Sequence, residues 1–346
     1  MKQALALFFL GLLCITLFYS CSSENPKPKG PQVFTGLAMT IPYRILIDMP
    51  ARETQYTHIN RVISRTFAEV DEIYNKWNPL SELSILNTIP AYQRIQLSPQ
   101  LEKVLVKIGS IVELTGGMFD PTVETVERLW KPYLINGQEP SPELLTSTKQ
   151  ATGWHHVHID NGFYYKDNTA TVITLEGITR GLTVDLLAEN ITKEGYSNIF
   201  VEWGGEVRTK GHHPSGRPWN VTLTQDNDSD LGKPVAFISL SNKSIATTGE
   251  LLPLWTVDNV RYNNIYNPLE CKPMRVTEHG IASASVVANS CFLADALSKV
   301  ALTFTNLDSA QAWADKISAK DHDIAIWLVA RSPNLGKKSI SFEQGL

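Results

Sequence analysis

The chain has 346 residues, 43% of them hydrophobic, and a formal net charge of −4 from 31 basic and 35 acidic side chains. Its apolar content supplies a sizeable core, and its length suits one large domain or two small ones. The scattered basic residues argue against nucleic acid as a partner, and four cysteines without a CxxC pair give no zinc spacing.

Lys2 gives a positive start, and Ala4 to Tyr19 is apolar apart from Gly11 and Thr16. As a helix this run of sixteen residues reaches about 24 Å, short of the roughly 30 Å hydrocarbon core. Residues 1–20 therefore read as a signal peptide and not as a membrane span. Residues 21–32 are polar and Pro-rich, which suits an extended tether. Cys21 resembles the acylated first residue of mature bacterial lipoproteins; Ser20 fits that pattern, while Phe18 and Tyr19 depart from it. The expected location is outside the cytoplasm, anchored by lipid to the cell membrane. Ordinary cleavage near Ser20 is the alternative, leaving a free thiol.

Beyond the tether, Phe34 to Ile47 reads as strand. His58 to Trp77 sets Ile59, Val62, Ile63, Phe67, Val70, Ile73 and Trp77 on one helical stripe. Ser98 and Pro99 open a second helix that stops at Gly116-Gly117, and Ser141-Pro142 opens a third. Strands are expected at His156–Ile159, Thr169–Leu175, Asn198–Glu202, Trp219–Thr224, Val235–Leu240 and Asp323–Ala330. Helices are expected at Arg180–Lys193, Phe292–Phe304 and Leu307–Ile317. The expected class is α+β, one mixed domain over residues 33–340. Cys271 and Cys291 either pair or simply pack.

Several loops carry chemistry-bearing residues, each weakly specific alone. Gly116 to Thr122 either joins two helices or passes its backbone close to a ligand, with Asp120 accepting from a ring edge. Gly177-Ile-Thr-Arg-Gly181 lies between an expected strand and a helix, where backbone N–H groups and a cation suit a phosphate. Gly204-Gly205-Glu206 reads most simply as a tight turn or bulge.

Taken in order, Gly36-Leu-Ala-Met39-Thr, Ser81-Glu82 to Asn87, Gly117 to Thr122, Gly177 to Gly181, Trp203 to Glu206, Ile245 to Gly249 and Ala294 to Ser298 resemble the FAD:protein FMN transferase (ApbE) family, over about residues 33–330. The resemblance implies a T-fold-like domain on a lipoprotein. It also implies FAD as substrate, Mg²⁺ beside the pyrophosphate, and transfer of FMN to a Thr or Ser of an exported flavoprotein, such as a membrane redox-pump subunit, with release of AMP. Met39, Trp77, Met118, Phe119, Asp120, Thr174, Arg180, Ile265 and Ser298 match its FAD-contacting segments. Gly177, Asp295 and position 299 match its metal ligands.

Three positions depart from the family pattern. Asn264 stands where the family has His, so the usual general base is missing. Lys299 stands where it has Thr, one helical turn after Asp295. An ammonium about 3 Å from Mg²⁺ faces repulsion of roughly 11 kcal/mol at an effective dielectric of about 20. Lys299 therefore swings to solvent, replaces the metal, or forms a plain i,i+4 pair with Asp295. Thr174 replaces an Asp, and a strand would put Glu176 on the same face as a substitute carboxylate. These departures keep two alternatives open: an FAD pyrophosphatase, and a non-catalytic FAD-binding lipoprotein.

Overall fold

The apolar run from Phe34 to Ile47 folds as two strands, β1 (Gln32–Ala38) and β2 (Ile41–Ile47), joined by Met39 and Thr40. Both turn residues have positive φ, 47° and 67°. The two-residue hairpin geometry demands this, although neither residue is the usual glycine or asparagine. The structure is a computed structural model that describes residues 30–224, 234–249, 255–331 and 343–344. The expected signal peptide, Cys21 and most of the expected tether lie outside the described residues.

Helix α1 (Glu53–Tyr74) ends before Trp77 instead of carrying it. The side chains of Asn75 and Asn78 turn back to the Asp71 carboxylate at 2.7 and 2.9 Å, and Trp77 N–H donates to Asn75 Oδ1 at 3.0 Å. These side-chain bonds compete with the helical ladder and turn the chain outward. Next come α2 (Glu82–Thr88), the short β3 (Ile95–Gln96) and α3 (Pro99–Thr115). As its sequence suggests, α3 has Ser98 accepting from Leu101 N–H, and ends with Gly116 at φ 63°. A helix missed in the sequence, α4 (Val123–Ile135), precedes α5 (Pro142–Ala151). The strand β5 (Phe163–Lys166) pairs on one side with β3 and on the other with β4 (Val157–Asp160).

The expected strand Thr169–Leu175 is not one. It begins in a turn and joins no sheet: Asn87 brackets Ile173 N–H and C=O at 2.8 Å each, Thr125 Oγ1 takes Val172 N–H at 3.1 Å, and Thr174 N–H donates to Pro121 O at 3.0 Å. The apolar pattern reflects burial of residues 171–175, while side-chain amide and hydroxyl groups and one loop carbonyl take the place of a ladder. Thr174 and Glu176 therefore do not share a strand face.

Helix α6 (Thr179–Lys193) is followed by the antiparallel strands β6 (Ile199–Trp203), β7 (Glu206–Lys210), β8 (Trp219–Thr224), β9 (Pro234–Leu240), β10 (Ser244–Gly249), β11 (Trp255–Val257), β12 (Val260–Asn267), β13 (Lys272–Arg275) and β14 (Ile281–Ala288). The described chain closes with α7 (Cys291–Ala301), α8 (Leu307–Lys320), β15 (Ala325–Ala330) and β16 (Glu343–Gln344).

Eight strands form one antiparallel sheet in the order β1-β2-β6-β7-β10-β14-β15-β16. Its two faces separate by the period-2 rule. Ile199, Val201 and Trp203 of β6 join Val286 and Ile326 in the main core, under α1, α6 and α7. Phe200, Val287 and Trp327 face the other way and meet Trp219 and Ile238 of the β8–β9 hairpin. Burial on both faces is why these strands read as unbroken apolar runs. Each fully buried Ile or Val contributes about 1.5–3 kcal/mol. A third cluster ties Val126, Trp130 and Leu134 of α4 to Tyr262, Tyr266 and Cys271, which sets β12 beside the cavity described next. Cys271 and Cys291 are free thiols in separate clusters.

Candidate functional site

A cavity of about 790 Å³ opens where the Met39–Thr40 turn, the loop after α1, the Met118–Pro121 segment, the start of α6, β12 and α7 converge. Met39, Trp77, Met118, Phe119, Asp120, Thr174, Gly177, Arg180, Asn264, Ile265 and Lys299 all line it. Asp295 and Ser298 do not; both are fully buried beneath its floor. Ser298 Oγ donates to Asp295 O at 2.8 Å and lies 2.6 Å from Thr248 Oγ1, so its hydroxyl serves the floor and not a nucleotide.

The cavity lining is chemically mixed. Met118, Phe119, Ile265 and Tyr266 supply apolar and aromatic surface, and Trp77 stands 68% exposed. Trp77 Nε1–H donates to Glu176 Oε1 at 2.6 Å, and the Lys76 ammonium sits 5.0 Å from its ring centroid. Lys76 is itself held by Glu176 at 2.6 Å, Glu124 at 2.8 Å and Glu127 at 3.4 Å. Burial alone lowers the Lys76 pKa, but these three carboxylates outweigh it and raise it. Glu176 is thus tied to Lys76 and Trp77; it does not stand in for the missing Asp at 174.

Two further cations, Arg180 and Lys299, line the cavity. Arg180 Nη1 donates to Gly204 O at 3.2 Å, and Nη2 stands 3.1 Å from Glu206 Oε1. The Gly204-Gly205 turn does join β6 to β7 as expected, and Gly204, at φ 63°, lets Arg180 lie against it. Lys299 Nζ pairs with Asp295 Oδ1 and reaches Thr248 Oγ1 at 3.4 Å. The other Asp295 oxygen accepts Gly181 N–H at 2.9 Å. Of the three fates open to Lys299, swinging out to solvent is excluded: its side chain is 18% exposed.

Asp120 lines the cavity, and its carboxylate is engaged within its own turn. Its carboxylate accepts from Thr122 N–H at 2.8 Å, Thr122 Oγ1–H at 2.6 Å and Trp154 N–H at 2.7 Å. Burial raises its pKa against those donors. The side chain fixes the turn, whose backbone then forms cavity wall.

Glu206 escaped the sequence reading because a carboxylate after Gly-Gly looks like an ordinary turn flank. It is fully buried and without an aligned hydrogen-bond donor among the described residues. Burial, then repulsion from Asp295, pushes its pKa from 4.5 up to about 8, against the pull of Arg180 and Lys299. Between those two pH values the unfolded chain binds fewer protons than the folded one, so Glu206 withdraws stability as pH rises through the window. The stability advantage of Glu206→Gln over the wild type, from melts between about pH 5 and about pH 9, should grow with pH. A constant difference would sink this account.

Magnesium does not fit this donor set. One Asp295 oxygen is paired with an ammonium, the other with a backbone N–H, and position 299 offers a cation where a ligand is needed. Among the described residues no group of three His, Cys, Asp or Glu side chains is arranged to hold a metal ion. No histidine lines the cavity either, and Asn264 is exposed at its edge.

Aromatic and cationic side chains sharing one cavity suit a ring-bearing phosphorylated ligand. The ApbE family pattern matches residues 39–325, and the chain belongs to that family. An FAD:protein FMN transferase of Chlamydia pneumoniae is 35% identical over 311 residues, covering 89% of this chain and 94% of its own. One from Vibrio cholerae is 28% identical over 294 residues, covering 84% and 85%. Among solved structures, the flavin transferase ApbE from Vibrio cholerae superposes with a TM-score of 0.75 at 24% identity, covering 91% of this chain and 97% of that one. The apo flavinyl transferase ApbE of Pseudomonas stutzeri gives 0.77 at 21% identity, covering 91% and 94%. These two likenesses establish the fold.

Proposed function

We propose that this protein is an FAD:protein FMN transferase that moves the FMN half of FAD onto a Thr or Ser hydroxyl of an exported flavoprotein. The observation that carries this reading is one cavity of about 790 Å³ lined by Trp77, Phe119, Arg180 and Lys299, a volume suited to a dinucleotide. The match over 89% of the chain to a relative bearing that name supports it. In the transfer the acceptor oxygen bonds to the FMN phosphorus and the bridging P–O bond breaks. AMP leaves with the electron pair, and the hydroxyl proton is released. Such a step depends chiefly on alignment and on neutralising the phosphate oxygens. Arg180 and Lys299 are assigned that neutralisation, Trp77 the stacking of a flat ring, and Asn264 the orientation of the hydroxyl by hydrogen bonding. Export by residues 1–20 and acylation at Cys21 complete the proposal, holding the enzyme at the membrane surface where acceptors such as redox-pump subunits are concentrated.

Incubation with FAD and a candidate acceptor, followed by gel fluorescence and nucleotide analysis, tests the reading. Protein-bound flavin with equimolar AMP is expected. Free FMN without labelled acceptor would make the protein a hydrolase, and neither product would make it an FAD holder. Trp77→Ala should weaken FAD binding about three- to tenfold, equivalent to losing about 0.5–1.5 kcal/mol of stacking. The melting temperature should stay unchanged, because the ring is largely exposed. Unaltered FAD affinity would remove Trp77 from the site.

A further inference from the structure

We infer that the Lys299 ammonium is the resident cation of this site, holding the pyrophosphate of FAD so that binding needs no divalent metal. The inference rests on the flavin-nucleotide reading above and concerns what neutralises the phosphates.

Lys299 is fixed from three sides. Its ammonium is paired with the fully buried Asp295, one helical turn earlier on α7, and reaches Thr248 Oγ1. Thr248 is held in turn by Ser298 at 2.6 Å. Its aliphatic stem runs over Gly177, where an added Cβ would come within 3.3 Å of Lys299 Cδ and of Phe119 Cε2. The stem is therefore packed against the cavity wall, and Lys299 lines the cavity together with Arg180. An ordinary i,i+4 pair on a helix surface has neither burial nor a cavity in front of it.

The site also carries its own cations. Lys299 is paired with the buried Asp295, and Arg180 stands beside the buried Glu206. Both Asp295 oxygens are engaged, one by the ammonium and one by Gly181 N–H. A divalent ion could take Asp295 only by expelling Lys299, whose stem would then have to leave its packing on Gly177. A pyrophosphate entering the cavity meets one ammonium and one guanidinium. Both are charge-assisted donors to phosphate oxygens, the guanidinium suited to a forked contact and the ammonium to a point contact.

The test is FAD titration followed by quenching of tryptophan fluorescence, with Trp77 and Trp203 both on the cavity, in EDTA and in millimolar Mg²⁺. Wild-type affinity should agree within about twofold between the two buffers, and calorimetry should detect no Mg²⁺ binding with or without FAD. Lys299→Thr should bind FAD about tenfold or more weakly in EDTA and recover in Mg²⁺, having gained a ligand and lost a cation. Lys299→Arg, which keeps the charge, should bind in EDTA far better than Lys299→Thr. Wild-type affinity that rises about tenfold or more with Mg²⁺, or Lys299→Thr binding like wild type in EDTA, overturns the inference while leaving the flavin reading intact. Failure of the wild type to bind FAD in either buffer overturns the flavin reading and this inference with it.

Discussion

Gly181→Ala is expected to destabilise the protein by about 2–3 kcal/mol, although it adds only one methyl group and replaces a poor helix former with the best one. A Cβ at this position would lie 2.4 Å from Cys291 O, 2.7 Å from Cys291 C and 2.8 Å from Asp295 Cβ. Two of those atoms are backbone and the third is a side-chain root, so no rotamer change relieves the clash. Helices α6 and α7 must separate, although they pack directly against each other over the sheet. The gain in helix propensity, at most about 1 kcal/mol, does not offset a separation of that kind. The same movement pulls Gly181 N–H away from Asp295 and loosens the floor under Lys299. Thermal melts should show a fall of about 5–10 °C, and FAD affinity should drop with it. A melt within about 1 °C of wild type would mean that the helices have room to yield.

Two of the loops that the sequence marked as chemical, Gly116 to Thr122 and Gly177 to Gly181, converge on one cavity, while Gly204-Gly205-Glu206 does not line it; residue types in order along the chain identify the wall even when their local structure is misread. Trp77 illustrates this: the apolar stripe continued a helix through it, yet Asn75 and Asn78 end that helix by bonding to Asp71. The ring reaches the cavity as a loop residue. Thr169–Leu175 shows the converse, a strand pattern without a strand, since periodicity reports burial and is silent on what completes the hydrogen bonds. The hairpin at Met39–Thr40 was illegible because its residues lack the glycine or asparagine that signals positive φ. Helix α4 was missed because Pro132 lies inside it and its start, at Thr122, has no side-chain cap. The floor was least legible. Asp295 and Lys299 were visible as a pair by spacing, but Glu206 joins them only through the packing of β7 against α6 and α7.

That floor makes Asp295→Ala the most damaging single change predicted, with an expected loss of about 3–5 kcal/mol. Two parts of the loss can be separated. Gly181 N–H loses its buried acceptor, for about 1–3 kcal/mol, and Lys299 loses its counter-ion in a place where its side chain is 18% exposed. Asp295→Asn keeps an oxygen for Gly181 N–H and removes only the charge, so it should lose roughly half as much as Asp295→Ala. Adding Lys299→Met to Asp295→Ala should recover the ion-pair part and leave the Gly181 part standing. Urea midpoints of these variants measure each component. Equal losses for Asn and Ala at 295 would deny the role of Gly181, and a double variant no more stable than Asp295→Ala would deny that of Lys299. The pH behaviour gives an independent check, because Asp295 is one of the groups that raise the Glu206 pKa. Without that carboxylate Glu206 ionises at lower pH, so the window over which it withdraws stability should contract from its upper end in Asp295→Ala.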